Sequence, residues 1–312
     1  ALCRQSASAA VAAPPGTWAR AELAMPVRSA AAALAAQGPV VAACVVGQPR
    51  SMAGGRLVPM ALQLLTGLCA LAAQRLALIF VLAAGPPPSF PASDELGVAR
   101  ALRAALASVR CPLVGGGEGP LEADVARVEL RDDPGDGDLA VEEAAYAEEE
   151  WWHGEVGEHS GRRKWVRQLR AYARCAQLVE DEERRAGTSF GWVVLLRPDL
   201  LHVSPLPHLP RDPQRVVVLP DNGQSLTPQA GYIEGADRAL AVPRPLARWV
   251  LTEPFRLLRD PAFVAAHPNC VRCSGWRAPG AKLSPEKHLA NVLLSARGLD
   301  VGVEPSWLTP LV

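Results

Sequence analysis

Residues 191–201, Gly-Trp-Val-Val-Leu-Leu-Arg-Pro-Asp-Leu-Leu, constrain the fold more than any other stretch of the chain. A run of bulky apolar residues centred on Val193 and Val194 stops at Arg197, Pro198 and Asp199. An unbroken apolar run of this length, bounded by turn formers, suits a strand buried on both faces of a parallel sheet. Pro198 has no backbone donor, so the ladder fails there, and its ring biases Arg197 toward an extended conformation. A cation and a carboxylate are thereby expected together at the carboxyl end of a buried strand. In open α/β sheets that end is where ligands bind.

The same pattern recurs along the chain. Residues 39–46 form a second apolar run, which gives way to Gly47, Gln48, Pro49 and Arg50. Residues 58–74 read as a helix with Pro59 in its first turn, and 77–84 as a strand. Ser93 can cap a helix through Arg110, and 126–130 make a third strand. The longest predicted helix covers 162–186, where Trp165, Leu169, Tyr172, Ala176 and Val179 recur at three- and four-residue steps before Gly187. Farther on, 215–219 and 239–242 are short strands, and Pro243 starts a helix toward Thr252. Ser284 opens a final helix, and 299–303 alternate as a last strand. Alternating strands and helices predict right-handed βαβ units. The expected fold class is therefore α/β, a single domain over 39–312 with a mostly parallel central sheet flanked by helices. The Ala-rich residues 1–38, with scattered Pro and Arg, are expected to be a poorly ordered leader.

Composition narrows the partners. A formal net charge of +0 gives no reason to expect a nucleic-acid-binding surface, so an acidic ligand must be held by a local cluster of charge. Aromatics make up only 5% of the chain, which leaves Ala, Leu and Val to fill the core. Residues 57–84 are the best candidate for a membrane span, but Gln74 and Arg75 interrupt them; a buried helix and a buried strand fit better. A membrane anchor is expected only upstream of residue 1. Cys44 and Cys69 lie in apolar runs and read as small core residues. Cys270 and Cys273 have the spacing of half a zinc site without a second pair, which favours a loop disulfide or two thiols. His153 and His159, with Glu155 and Glu158 between them, sit in a glycine-bearing stretch and read as surface residues.

Asp199 leads the residues able to carry chemistry. A carboxylate there can hold a divalent cation against a diphosphate, or accept hydroxyl hydrogens from a sugar. Arg197 adds a fixed fork of donors suited to phosphate or carboxylate. The bland alternative is an Arg–Asp pair that closes a strand end. Gln48 and Arg50, beyond the turn that Gly47 permits, can project over the same sheet edge, or be surface residues of a proline turn. Asp237 or Glu234 can serve as general base or hold an acceptor hydroxyl; equally, Asp237 and Arg238 can cap a turn. Glu286 can face a site, although its simplest role is to complement the dipole of a helix capped by Ser284. No Gly-rich phosphate loop, nucleophile elbow or paired zinc motif is present, which weakens kinase, hydrolase and dehydrogenase readings.

Taken in order, the segments 45–50, 168–183, 192–199, 237–242 and 284–286 resemble the glycosyltransferase-like proteins of the GT-A, or nucleotide-diphospho-sugar transferase, fold. The resemblance implies a nucleoside diphosphate sugar as donor, transfer to a hydroxyl of a glycan or other acceptor, and often Mn²⁺ or Mg²⁺. It also implies work in the Golgi lumen or secretory pathway. Gln48 and Arg50 would contact the nucleotide, and Arg197 and Asp199 the diphosphate, with Asp199 as the metal ligand. Asp237 and Glu286 would be the catalytic candidates. One departure stands out: many metal-dependent members carry Asp-x-Asp where this chain has Arg197, Pro198 and Asp199. The alternatives are a non-catalytic binding or scaffolding module on the same fold, or an α/β transferase or hydrolase using Cys273 or a histidine.

Overall fold

The computed structural model describes residues 40–47, 57–71, 75–84, 90–91, 94–112, 116–131, 160–198, 209, 216–218, 239–260, 262 and 301–303. The expected leader at 1–38, the helix after Ser284, and the residues Cys270, Cys273, His153 and His159 lie outside them.

The first unit is strand β1 (Val41–Gly47), helix α1 (Leu57–Gly67), a 3-10 turn (Leu68–Leu71) and strand β2 (Leu76–Ala83). Helix α2 (Glu95–Ser108) follows, then a short ribbon of β3 (Arg110–Pro112) and β4 (Glu118–Pro120), and then β5 (Ala123–Arg131). Helix α3 (Ser160–Ala186) leads to β6 (Trp192–Leu196) and β7 (Val216–Val218). Strand β8 (Ala239–Pro243), helix α4 (Arg244–Leu257) and β9 (Val301–Val303) complete the described elements.

The central sheet is 7-stranded, in the order β5-β2-β1-β6-β8-β7-β9. Its strands run in one direction except β8, which is antiparallel to both β6 and β7. The chain adds β2 and β5 on one side of β1, then crosses over to lay β6 on the other side. Right-handed crossovers require helices on opposite faces when the direction of addition reverses. Accordingly α1 and α2 pack on one face, and α3 and α4 on the other.

The apolar runs divide between these faces with period two, as a pleated strand demands. Ala42, Cys44 and Val46 of β1 join Leu169, Tyr172 and Val179 of α3, while Val41, Ala43 and Val45 meet Leu64 and Leu65 of α1. β6 splits likewise: Val193 and Leu195 face α3, and Trp192, Val194 and Leu196 face the opposite layer. Burial on both faces explains why neither strand shows polar alternation. β5, at the edge, contains a β-bulge where its register against β2 shifts between Leu78 and Ile79. The extra residue keeps Val125, Val128 and Leu130 all in the α1–α2 core despite their uneven spacing. Two side chains of α2 reach this strand: Glu95 accepts from the Leu130 N–H at 2.9 Å, and Arg103 donates to the Val125 carbonyl at 3.2 Å.

The α/β class, the mostly parallel sheet and the flanking helices follow the sequence expectation. Several details differ. Helix α2 stops at Ser108, because Arg110 is already in β3; its N-cap is Asp94, without a side-chain cap bond. Helix α4 runs past Thr252 to Leu257, with Pro254 inside it. Pro254 removes one donor, but it is buried on the stripe with Val250, Leu251 and Leu257, and packing holds the last turn. Cys44 and Cys69 are not simple core thiols. Cys44 is bonded to Cys175 of α3 across 131 residues, and Cys69 to Cys111 of β3 across 42. Among the described residues no helix is long and apolar enough to cross a membrane; 57–84 contain instead α1, the 3-10 turn and β2.

Candidate functional site at the carboxyl edge of the sheet

β1 and β6 lie side by side in parallel, with Val45 opposite Leu196. The strand order reverses between them, and in open α/β sheets ligands bind at such a switch point. β1 ends at Gly47, whose φ of 139° suits a residue without a side chain. β6 ends at Leu196, followed by half-buried Arg197 and buried Pro198. The Pro198 ring rests against Gly47: a Cβ at position 47 would lie 3.3 Å from Pro198 Cδ. Because β8 is antiparallel it begins where β6 ends, with Ala239 opposite Leu196.

Three sequence candidates stand, in the sequence, next to strand ends at this edge. Gln48 directly follows Gly47, Asp199 directly follows Pro198, and Asp237 stands two positions before Ala239. Of the residues named from sequence, only Arg197 is itself described. Gln48, Arg50, Asp199, Glu234, Asp237 and Glu286 lie outside the described residues, and Glu286 adjoins no described element.

The opposite edge is fixed by a contact that sequence reasoning missed. Glu183, near the end of α3, accepts two hydrogen bonds from Arg244, Nε at 2.8 Å and Nη2 at 2.6 Å. It also accepts the Phe190 N–H at 3.0 Å. Gly191 N–H donates to the Val40 carbonyl at 2.8 Å, and Arg244 N–H to the Gly191 carbonyl at 2.9 Å. One carboxylate therefore joins the end of α3, the start of β6 and the start of α4. A rigid strand held at its amino end delivers its carboxyl end to a defined place, which is what a site built from strand ends needs. In the sequence, Glu183 is one acid within Glu-Asp-Glu-Glu-Arg-Arg and nothing distinguishes it.

A second ionic group joins α3 to the edge strand. Arg174 holds Glu129 of β5 with a fork of hydrogen bonds at 2.7–3.0 Å, and Arg131 stands 3.5 Å from the same carboxylate. The bond to Glu129 raises the Arg174 pKa above its ordinary value. Burial lowers that of Arg131, with Glu129 opposing and Arg170 and Arg174 adding to the effect. Arginine keeps its proton at physiological pH, and the arrangement reads as an ionic tie between α3 and the edge strand.

Among the described residues no group of His, Cys, Asp and Glu side chains is arranged to hold a metal ion. The donor set that the sequence provides after β6 is one carboxylate beside a guanidinium. That is a thin ligand set for a divalent cation and a better one for a phosphate. No protein-family model matches the chain, and no curated protein sequence does either.

Proposed function

We propose that the chain is a GT-A-like glycosyltransferase that moves a sugar from a nucleoside diphosphate donor to a hydroxyl acceptor. The observation that carries this reading is the contact between Gly47 and Pro198 at the switch point between β1 and β6. It joins the strand end that leads to Gln48 and Arg50 with the one that leads to Arg197 and Asp199.

In this reading Gln48 and Arg50 contact the nucleotide, and Arg197 and Asp199 meet the diphosphate. Displacement at an anomeric carbon needs a stabilised leaving group more than a strong nucleophile, so fixed charge at the diphosphate carries most of the catalysis. Neutralisation is assigned first to the Arg197 fork; Mn²⁺ or Mg²⁺ held by Asp199 would supply additional positive charge when bound. Asp237 is the candidate for acceptor activation, ahead of Glu286, because it adjoins β8 at the same edge. The two buried disulfides suit folding in an oxidising compartment, in keeping with a secretory or Golgi setting.

The test is a screen of UDP- and GDP-sugars for binding and turnover, with and without Mn²⁺. Asp199→Asn is expected to lower turnover by about a hundredfold or more. Wild-type activity in that variant removes Asp199 from the mechanism. Donor binding without transfer or hydrolysis would favour a non-catalytic module on the same fold.

A further inference from the structure

We infer that Arg131 of β5 and Arg170 of α3 form a binding site for a phosphate group. The site stands apart from the sugar-transfer reading and survives its failure. Glu129 and Arg174 meet across the β5–α3 interface in a forked pair. β5 runs toward the carboxyl edge, and α3 runs back from it to the start of β6. Two residues beyond Glu129 the pleat brings Arg131 to the same face, about 7 Å farther along the strand. Four residues before Arg174, one helical turn places Arg170 about 6 Å along α3 in the same direction. A step with an acid facing a cation is thus followed by a step with a cation on both sides. Arg131 stands 3.5 Å from Glu129, which Arg174 already holds at 2.7 Å. Among the described residues no carboxylate pairs with Arg170. Three guanidinium groups share one carboxylate.

Left to itself this arrangement is unfavourable. Arg170 and Arg174 are like charges four residues apart on one helix, a destabilising spacing. The lowered pKa of Arg131, due first to burial and then to Arg170 and Arg174 against the pull of Glu129, registers the same crowding. The rest of the helix deepens it. Residues 160–179 of α3 include six cations and no acid, although a helix dipole favours acids toward its amino end. The formal net charge of the whole chain is +0, so the surplus is local. Each guanidinium presents a planar fork of donors, and two facing forks suit one tetrahedral oxyanion. A phosphate group, with a charge of roughly −1.5 to −2, offsets the surplus better than a single carboxylate would. The Arg131 side chain is 33% exposed, which leaves it within reach of an anion from solvent. Free inorganic phosphate and the phosphates of a nucleotide share the required chemistry.

The test titrates inorganic phosphate, and separately UDP, into the full chain and into Arg131→Gln, Arg170→Gln and Arg256→Gln. Ionic strength is held constant with chloride; affinity is read by calorimetry and stability by thermal midpoint. Arg256 pairs with Glu253 on α4, so its variant removes the same charge from another helix. Phosphate is expected to bind the wild-type chain saturably and to raise its midpoint. Arg131→Gln and Arg170→Gln should each weaken phosphate about fivefold or more, and Arg256→Gln by less than about twofold. Arg170→Glu places a carboxylate opposite Arg131, so it should raise the midpoint in chloride alone and abolish the rise that phosphate gives. Absence of saturable phosphate binding, an equal loss in Arg256→Gln, or no gain in midpoint from Arg170→Glu each overturns the inference. UDP that weakens in step with phosphate supports the site with a nucleotide as its source. UDP that keeps its affinity while phosphate weakens supports the site with the free ion as ligand.

Discussion

Among the described residues the two faces of the sheet each carry one disulfide, yet the bonds tie very different parts of the molecule. On the α3–α4 face, Cys44–Cys175 joins the central strand to the longest described helix, across 131 residues. On the α1–α2 face, Cys69–Cys111 joins the turn after α1 to the β3–β4 ribbon, 42 residues apart. Ionic groups add to the contrast. Glu183–Arg244 and Arg174–Glu129 both anchor α3, whereas Glu95 and Arg103 of α2 bond to backbone groups of β5. Among the described residues, the disulfide of longer range and both ion pairs that anchor α3 thus gather on the face whose helix leads into β6.

Breaking those ties in turn measures how unequal the faces are. Cys44→Ala/Cys175→Ala should have the largest effect, a loss of about 5 kcal/mol from loop-closure entropy alone, read as a lowered guanidinium midpoint. An unchanged midpoint would show that apolar packing already holds α3 without the bond. Cys69→Ala/Cys111→Ala should cost about 4 kcal/mol by the same reasoning. Here amide exchange should rise first in α1 and the ribbon while β1 and β6 stay protected; exchange rising equally through the whole sheet would erase the distinction between the faces. Glu183→Gln should cost about 2 kcal/mol, since Arg244, 22% exposed, loses a charged partner and the Phe190 amide a charged acceptor. The Phe190 amide should exchange faster in that variant; retained protection would deny Glu183 its role at the start of β6. Arg174→Ala should cost no more than about 1 kcal/mol, because its side chain is 29% exposed. A greater loss in thermal denaturation would mean that the edge strand depends on α3 more than its partial solvation implies.

Periodicity carried most of what was readable in advance. The stripe of α3 places Leu169, Tyr172, Ala176 and Val179 in the core as expected, and the runs around Val45 and Val194 are buried strands. The reversed direction of β8 was not readable, because a short run such as Ala-Leu-Ala-Val-Pro looks the same whichever way it enters a sheet. The disulfides were hidden for a related reason: a bonded cysteine within an apolar run has the same hydrophobic signature as a free one. Glu183 acts through partners 7 and 61 residues away, a separation that no local pattern records. At the candidate site, sequence identified strands ending in Gly47 and in Arg197-Pro198. That these ends touch depends on strand order, which only the folded chain supplies.

The two bonds from α2 to β5 also bear on how the molecule behaves in a crowded solution. Among the described residues β5 is the outermost strand on its side, and a bare outer strand is a template for another chain to add to the ladder. Glu95 occupies the Leu130 donor and Arg103 the Val125 acceptor, so an incoming strand would have to displace two charged side chains before pairing there. The kink of the bulge further spoils the straight run of groups that stacking requires. At these two positions the neighbouring helix guards the edge of the sheet against lateral growth.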